Sequence, residues 1–360
     1  MQIIRCAEKS TFNQLEETTK RICSRHILVF GEDLQLRLSE LIIGVVCVGG
    51  LGSLLIEQLM RLFPRKLIFI DKDYVDITNL NRLISATLID VKLKTKKNDL
   101  ATHYILNFNP KQKLKAIFGD FLEKNNQEIF KQCDFVFGAS DSNAVRLALN
   151  RLCLANAIPY FDCGSGAEVN KIGLKEAGGQ IIKILPDSSF CLHCANLFDV
   201  KSAMNDFLPF EERKRQEQQG YILGANIPAP QVYSLNMMVA SWAIWFFKRY
   251  VAGEELDFDV FSIDAKNNKT IPWKVVKKQS NDCLTCGPNG IVFKGDDADL
   301  LCCTEEDEVD EGANCAIKFV SCGASTNESK KLPEFPIPPY PELIMGKDES
   351  TPFAFGLWVR

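Results

Sequence analysis

Apolar residues in this chain come in blocks whose spacing changes along its length. Residues 11–40 have polar faces, no proline and Gly31 as their only glycine, and read as helical. They lead into the run Leu41-Ile42-Ile43-Gly44-Val45-Val46-Cys47-Val48. A run without alternation suits a strand covered on both faces, as parallel strands are. After Gly49, Gly50 and Gly52, the segment Ser53–Met60 has helical periodicity, and Lys66-Leu67-Ile68-Phe69-Ile70-Asp71 is a second buried strand ending in an acid.

The alternation continues with a helix near 90–107, a strand at 114–117, a helix near 121–131, a strand at 134–138, a helix over 143–156 and a strand at 159–162. This order predicts an α/β fold: a Rossmann-like, doubly wound, mostly parallel sheet with helices on both faces, joined by right-handed crossovers. Past residue 175 the pattern changes. Residues 195–228 read as a mobile loop, charge-rich from Lys201 to Gln219, and 233–245 as a strongly apolar helix for the core or a dimer interface. Nine of the sixteen residues 296–311 are acidic and five of the nine residues 333–341 are proline, so 288–360 reads as an acidic, proline-rich extension, partly flexible, behind a domain over 1–287. Within that domain, 41–165 is the nucleotide-binding half.

Composition narrows the function. At 360 residues and 46% hydrophobic, the chain can bury one large core. A net charge of -4 supplies none of the positive field that a nucleic-acid polymer needs. The first thirty residues carry several charges and no apolar signal core, and no stretch of about 18 uncharged apolar residues occurs, so the expectation is a cytoplasmic protein with no membrane partner. Fourteen cysteines in such a compartment point to metal binding or catalysis wherever their spacing is ordered, and otherwise to small buried hydrophobes.

A glycine loop between a buried strand and a helix lets backbone N–H groups approach phosphate, and an acid about 20 residues on can hold ribose hydroxyls. Gly49, Gly50, Gly52 and Asp71 have that arrangement. A nicotinamide- or flavin-dependent oxidoreductase would use the same parts. The segment Asp71-Lys72-Asp73-Tyr74-Val75-Asp76-Ile77-Thr78-Asn79-Leu80-Asn81-Arg82, followed by Lys92, Lys94, Lys96 and Lys97, favours a triphosphate whose pyrophosphate must leave, because that chemistry needs several cations. Lys92 and Lys97 read as a solvated helix face.

At this point the sequence resembles the ThiF/MoeB/HesA adenylyltransferases, to which the adenylation domains of ubiquitin-activating enzymes belong, over roughly residues 20–290. The residues that carry the resemblance are Gly49-Gly50-Leu51-Gly52, Asp71, Asn79-Leu80-Asn81-Arg82, Lys94-Thr95 and Ala139-Ser140-Asp141-Ser142-Asn143-Ala144-Val145-Arg146. The resemblance implies ATP and magnesium in the glycine-loop site, with Asp71 on the ribose, Asp73 beside it, Asn79, Arg82 and Lys94 on the triphosphate, and Asp141 organising magnesium near the α-phosphate. It implies a homodimer in which Arg25 enters the neighbouring subunit's ATP site. The bland reading of Asp141 is a helix N-cap.

Two Cys-x-x-Cys knuckles, Cys191/Cys194 and Cys283/Cys286, suit structural zinc held by four thiolates, with His193 outside the ligand set. The resembled family has the same site. Cys47 stands where the family loop usually begins with glycine, a glycine common before the lysine is absent, and Lys96 is a substitute for Lys94. Residues 195–235 contain no cysteine for a thioester step, leaving Cys163, Cys302 and Cys303, the last two disfavoured by their acidic setting. The expected activity is ATP-dependent adenylylation of the C-terminal carboxylate of a ubiquitin-like or sulfur-carrier protein. The alternatives are adenylylation of a short peptide, and a noncatalytic partner-binding scaffold or a dinucleotide oxidoreductase.

Overall fold

The computed structural model describes residues 15–197, 203, 215, 230–276, 280–298 and 300–301. The chain divides into two units, Met1–Gly323 and Ala324–Arg360, and every described residue belongs to the first. Most of the loop expected over 195–228, the acidic run past residue 301, the proline-rich run, and Cys302 and Cys303 lie outside the described residues.

The elements are α1 (Glu17–Ile22), α2 (Ser24–Phe30), α3 (Glu32–Glu40), β1 (Ile42–Val46), α4 (Gly50–Met60), β2 (Lys66–Asp71), α5 (Leu88–Leu93), α6 (Lys97–Phe108), β3 (Leu114–Phe118), α7 (Lys124–Phe130), β4 (Phe135–Gly138), α8 (Asn143–Ala155), β5 (Tyr160–Asn170), β6 (Gly173–Ile184), α9 (Tyr233–Ala252), β7 (Val260–Asp264) and β8 (Lys269–Trp273). The described strands form one sheet in the order β3-β2-β1-β4-β5-β6-β7-β8. The first five are parallel, and β6, β7 and β8 extend the sheet by antiparallel pairing.

The parallel half forms where its unbroken apolar runs predict it, because β1, β2 and β4 bury side chains on both faces. Asp134 pins the starts of two neighbours: its carboxylate accepts from the Ile42 amide at 2.8 Å while its own amide donates to the Ile42 carbonyl at 2.8 Å. On one face Phe135 meets Phe137, Phe161 and Phe247 at ring separations of 4.7–4.9 Å. Phe247 comes from α9, which packs on α3, α4, β5 and β6 and sends Leu235, Val239, Ala240 and Ala243 into the core. Met238, Trp242 and Trp245 of the same helix remain partly exposed.

Three expectations change. The helix read over 11–40 is three short helices within the described residues, divided at Cys23 and at Gly31, whose φ of 83° no helix continues through. The helix near 90–107 is broken after Leu93, where Lys94 takes a left-handed conformation (φ 50°, ψ 48°). Residues beyond 163 form an antiparallel extension, in which glycines at 164, 166, 178 and 179 obscure the strand pattern. Past Gly287, residues Ile291, Ala298, Leu300 and Leu301 are buried in the same core cluster as the knuckle cysteines.

Candidate active site

Doubly wound sheets bind ligands outside the carboxyl ends of their strands, where neighbouring connections leave in opposite directions. Here that point lies between β1 and β4, and a cleft of about 710 Å³ opens there. Its walls are the β1–α4 turn, the end of β2 with the loop that follows, the residues after β3 and β4, and the start of the long β5 strand.

The glycine turn is built by a close pass of backbone on backbone. Cys47, which stands where the resembled family usually has glycine, adopts φ 72°, and its carbonyl points into the first turn of α4. A Cβ on Gly52 would stand 1.9 Å from that oxygen, so no side chain is admitted there. Gly49 differs, since a Cβ on it would meet nothing within 4 Å. Because the first amides of a helix have no partner inside it, the turn presents N–H groups and positive dipole to the cleft.

Asp71 closes the other side. Its Oδ2 accepts from the Val48 amide at 2.7 Å and its Oδ1 from the Asp73 amide at 2.8 Å. Burial pushes its carboxyl pKa up, while Lys97 and the two amides pull it down. Lys97 starts α6 and is only 9% exposed. Its Nζ lies 2.7 Å from Asp73 Oδ2 and 3.9 Å from Asp71 Oδ1. The solvated helix face expected for Lys97 is therefore replaced by a buried ammonium at the cleft. Lys94 is exposed and does not border the cleft, and Lys96 sits 4.2 Å over the Phe118 ring. Of the lysines in 92–97, Lys97 is the one that lines it. The left-handed backbone that Lys94 adopts is the kind glycine tolerates best.

Asn79 and Arg82 border the cleft from the loop after β2. A 3-10 turn over Ile77–Asn79 holds them, capped by Asp76, whose amide donates to Asn79 Oδ1 at 3.2 Å. The Arg82 guanidinium donates to the Thr78 carbonyl at 2.5 Å and to Asn81 Oδ1 at 3.2 Å. Asp141 faces the cleft from the β4–α8 connection and is exposed. It does not cap α8; Ser142 does, accepting from the Val145 amide at 3.4 Å. Arg25, on α2, is exposed and does not line the cleft of its own chain.

Arg146 is among the cleft residues that carry no role in the sequence analysis. Arg146 is ion-paired to the buried Asp162, which also accepts from Tyr160 Oη at 2.5 Å. Burial opposes the charge on Arg146, but the adjoining carboxylate more than offsets it and raises the guanidinium pKa. Arg146 closes the quoted segment 139–146, so its position was visible and its pairing was not. Cys47 and Cys163 also line the cleft. Burial and Asp71 push the Cys47 thiol up to about 12, and burial with Asp162 pushes Cys163 well above its usual value, so neither offers a ready thiolate.

Away from the cleft, the sulfurs of Cys191, Cys194, Cys283 and Cys286 lie within 4.8 Å of one another, all buried. Cys191 Sγ and Cys283 Sγ are 3.7 Å apart, and Cys194 Sγ and Cys286 Sγ 3.5 Å. Tetrahedral Zn–S bonds of about 2.3 Å require sulfurs about 3.8 Å apart. Amides of Cys194, Ser280, Thr285 and Cys286 point at these sulfurs, as thiolates need. The donor set fits zinc, and His193 is exposed beside it.

The ThiF family model matches residues 23–286, which spans the sheet, the cleft and both knuckles. The chain belongs to the ThiF family. This ThiF-family chain is 34% identical over 139 residues to the tRNA threonylcarbamoyladenosine dehydratase of Bacillus subtilis (strain 168), covering 38% of the chain and 54% of that relative. It is 24% identical over 264 residues to the sulfur carrier protein ThiS adenylyltransferase of the same organism, covering 73% of the chain and 70% of the relative. It therefore spans about half the length of the first relative. Among solved structures, E. coli MccB with MccA-N7isoASN aligns with a TM-score of 0.59 at 17% identity, covering 77% of this chain and 76% of that one, a likeness of fold.

Gly52→Ala should lower the unfolding free energy by roughly 2–4 kcal/mol, because backbone must move to admit the methyl, whereas Gly49→Ala should change it by less than about 1 kcal/mol. Denaturant midpoints compare the two; equal effects would contradict this account of the turn.

Proposed function

We propose that this chain adenylylates a carboxylate, with ATP in the cleft and the C-terminal carboxylate of a ubiquitin-like or sulfur-carrier protein as acceptor. The observation that carries the reading is the convergence of a helix N-terminus, Asp71, Lys97, Arg82 and Asp141 on one cleft in a ThiF-family chain. A carboxylate oxygen attacks the α-phosphorus, the bond from that phosphorus to the bridging oxygen breaks, and pyrophosphate leaves with the electron pair. The product is an acyl–AMP anhydride, and no proton needs to move. The protein's task is alignment and neutralisation of charge.

In this reading the Gly49–Gly50 amides and Gly52 turn receive phosphate, and Asp71 holds the ribose with Asp73 beside it. Asn79 and Arg82 take the triphosphate together with Lys97, which we put in the place expected for Lys94. Magnesium, when bound, neutralises the phosphates, and Asp141 offers it a hard oxygen donor in the cleft. Zinc held by Cys191, Cys194, Cys283 and Cys286 ties the segment after β6 to the segment after β8 and takes no part in transfer.

Arg25 is exposed on α2, as are Leu28 and Val29 of the same helix, and Leu88, Ile89 and Leu93 of α5 are exposed as well. A second copy of the chain would cover the exposed apolar side chains beside Arg25 on α2, which supports a homodimer with Arg25 reaching the partner's cleft. The raised thiols of Cys47 and Cys163 speak against a thioester on either. No helix among the described residues is long and apolar enough to cross a membrane, and we keep the cytoplasmic setting as part of the proposal. We keep an adenylation domain followed by an extension but move the boundary from 287 to beyond Leu301, because Ile291, Ala298, Leu300 and Leu301 are buried in the domain's core.

ATP–pyrophosphate exchange tests the reaction, with a sulfur-carrier protein, a ubiquitin-like protein, short peptides and tRNA offered in turn. Exchange is expected with a protein acceptor bearing a free C-terminus; exchange driven by a peptide or by tRNA instead would reassign the acceptor. Asp141→Ala and Lys97→Ala should each lower the rate by about 10²- to 10³-fold, and Lys94→Ala by less than about 3-fold. The reverse order for the two lysines would undo the assignment. Removing zinc with a chelator should lower the midpoint of thermal unfolding by at least about 5 °C. Purified protein without stoichiometric zinc would sink that claim.

A further inference from the structure

Asn236 lies in the first turn of α9 and is 1% exposed. Its Oδ1 accepts the Ser165 hydroxyl at 2.5 Å, which turns its Nδ2 toward the glycine turn. A Cβ on Gly50 would be 2.6 Å from that nitrogen, with the stem of Arg82 at 3.0 Å. Nδ2 itself has no hydrogen-bond partner. A buried amide without an acceptor is a cost that an incoming oxygen removes, and this one stands at the N-terminus of α4.

The position points to which oxygen. A second groove, of about 740 Å³, runs between the β5–β6 hairpin and the turn after β7, and Gly164, Ser165 and Gln180 line both it and the cleft. A chain that followed the groove into the cleft would pass Ser165, which borders both, and reach the space that Gly50 borders. A terminal carboxyl group is acceptor-only when ionised and keeps a carbonyl acceptor once acylated to AMP. We propose that Asn236 binds the acceptor: its Nδ2 donates to an oxygen of the terminal carboxyl group, and Ser165 fixes the direction in which the amide points. This inference rests on the adenylylation reading and adds the residue that recognises the carboxyl group.

Calorimetry on the full chain tests it with three probes: MgATP, 5′-O-sulfamoyladenosine, and 5′-O-(N-glycylsulfamoyl)adenosine, which carries the smallest acyl carbonyl. The wild type should bind the glycyl compound at least about 10-fold more tightly than the compound without it. Asn236→Leu keeps the volume, removes the donor without adding charge beside the phosphates, and should lose about 10- to 100-fold in affinity for the glycyl compound, while MgATP stays within about 2-fold. Ser165→Ala should lose about 3- to 10-fold on the same probe alone, and decides the matter if Asn236→Leu does not fold. Unchanged affinity for the glycyl compound, an equal loss for MgATP, or no acyl preference in the wild type overturns the role of Asn236. Wild type that fails to bind MgATP overturns the adenylylation reading itself.

Discussion

The carboxylate of Asp71 accepts from the Val48 and Asp73 amides and faces the ammonium of Lys97 3.9 Å away. Burying an unpaired carboxylate costs several kcal/mol, so the chain around it is constrained to keep all three partners in place. Val48 begins the glycine turn, Asp73 begins the loop that carries Asn79 and Arg82, and Lys97 begins α6. One carboxylate thus sets the three walls that a nucleotide would touch. Asn98, next to Lys97, reinforces the arrangement by donating to the Asp71 carbonyl at 2.8 Å and the Ile117 carbonyl at 2.5 Å, which joins β2 and β3.

The two halves of the sheet divide the work. The parallel half has strands covered on both faces and delivers the turn, the acid and the cations to one edge. The antiparallel half supplies the long β5–β6 hairpin and the groove that opens into the cleft at Ser165. α9 connects them, with Phe247 in the aromatic cluster beneath β4 and Asn236 between Ser165 and Gly50. The four-thiol cluster binds the ends of the antiparallel half together, since the two knuckles lie about 90 residues apart in sequence and meet in space.

The parallel strands were legible because double burial leaves unbroken apolar runs such as Ile42–Val46 and Phe135–Gly138. The knuckles were legible because a pair of Cys-x-x-Cys segments has the ligand spacing of a four-thiolate zinc site. Lys97 was not, because its burial depends on Asp71 and Asp73 closing over it, and a run of lysines in sequence looks like a solvated surface. The break at Lys94 was hidden by a residue type that seldom adopts φ 50°. Asn236 reads as one polar position in an apolar helix until Ser165, 71 residues upstream, is seen to hold it.

A crystal structure of the protein with MgATP tests the central claim most directly. The account predicts ribose hydroxyls within hydrogen-bond distance of Asp71, phosphates over the Gly49–Gly50 turn, and Lys97 transferred from Asp73 to a phosphate oxygen. Nucleotide bound elsewhere, or bound with Lys94 on the phosphates and Lys97 still on Asp73, would contradict it.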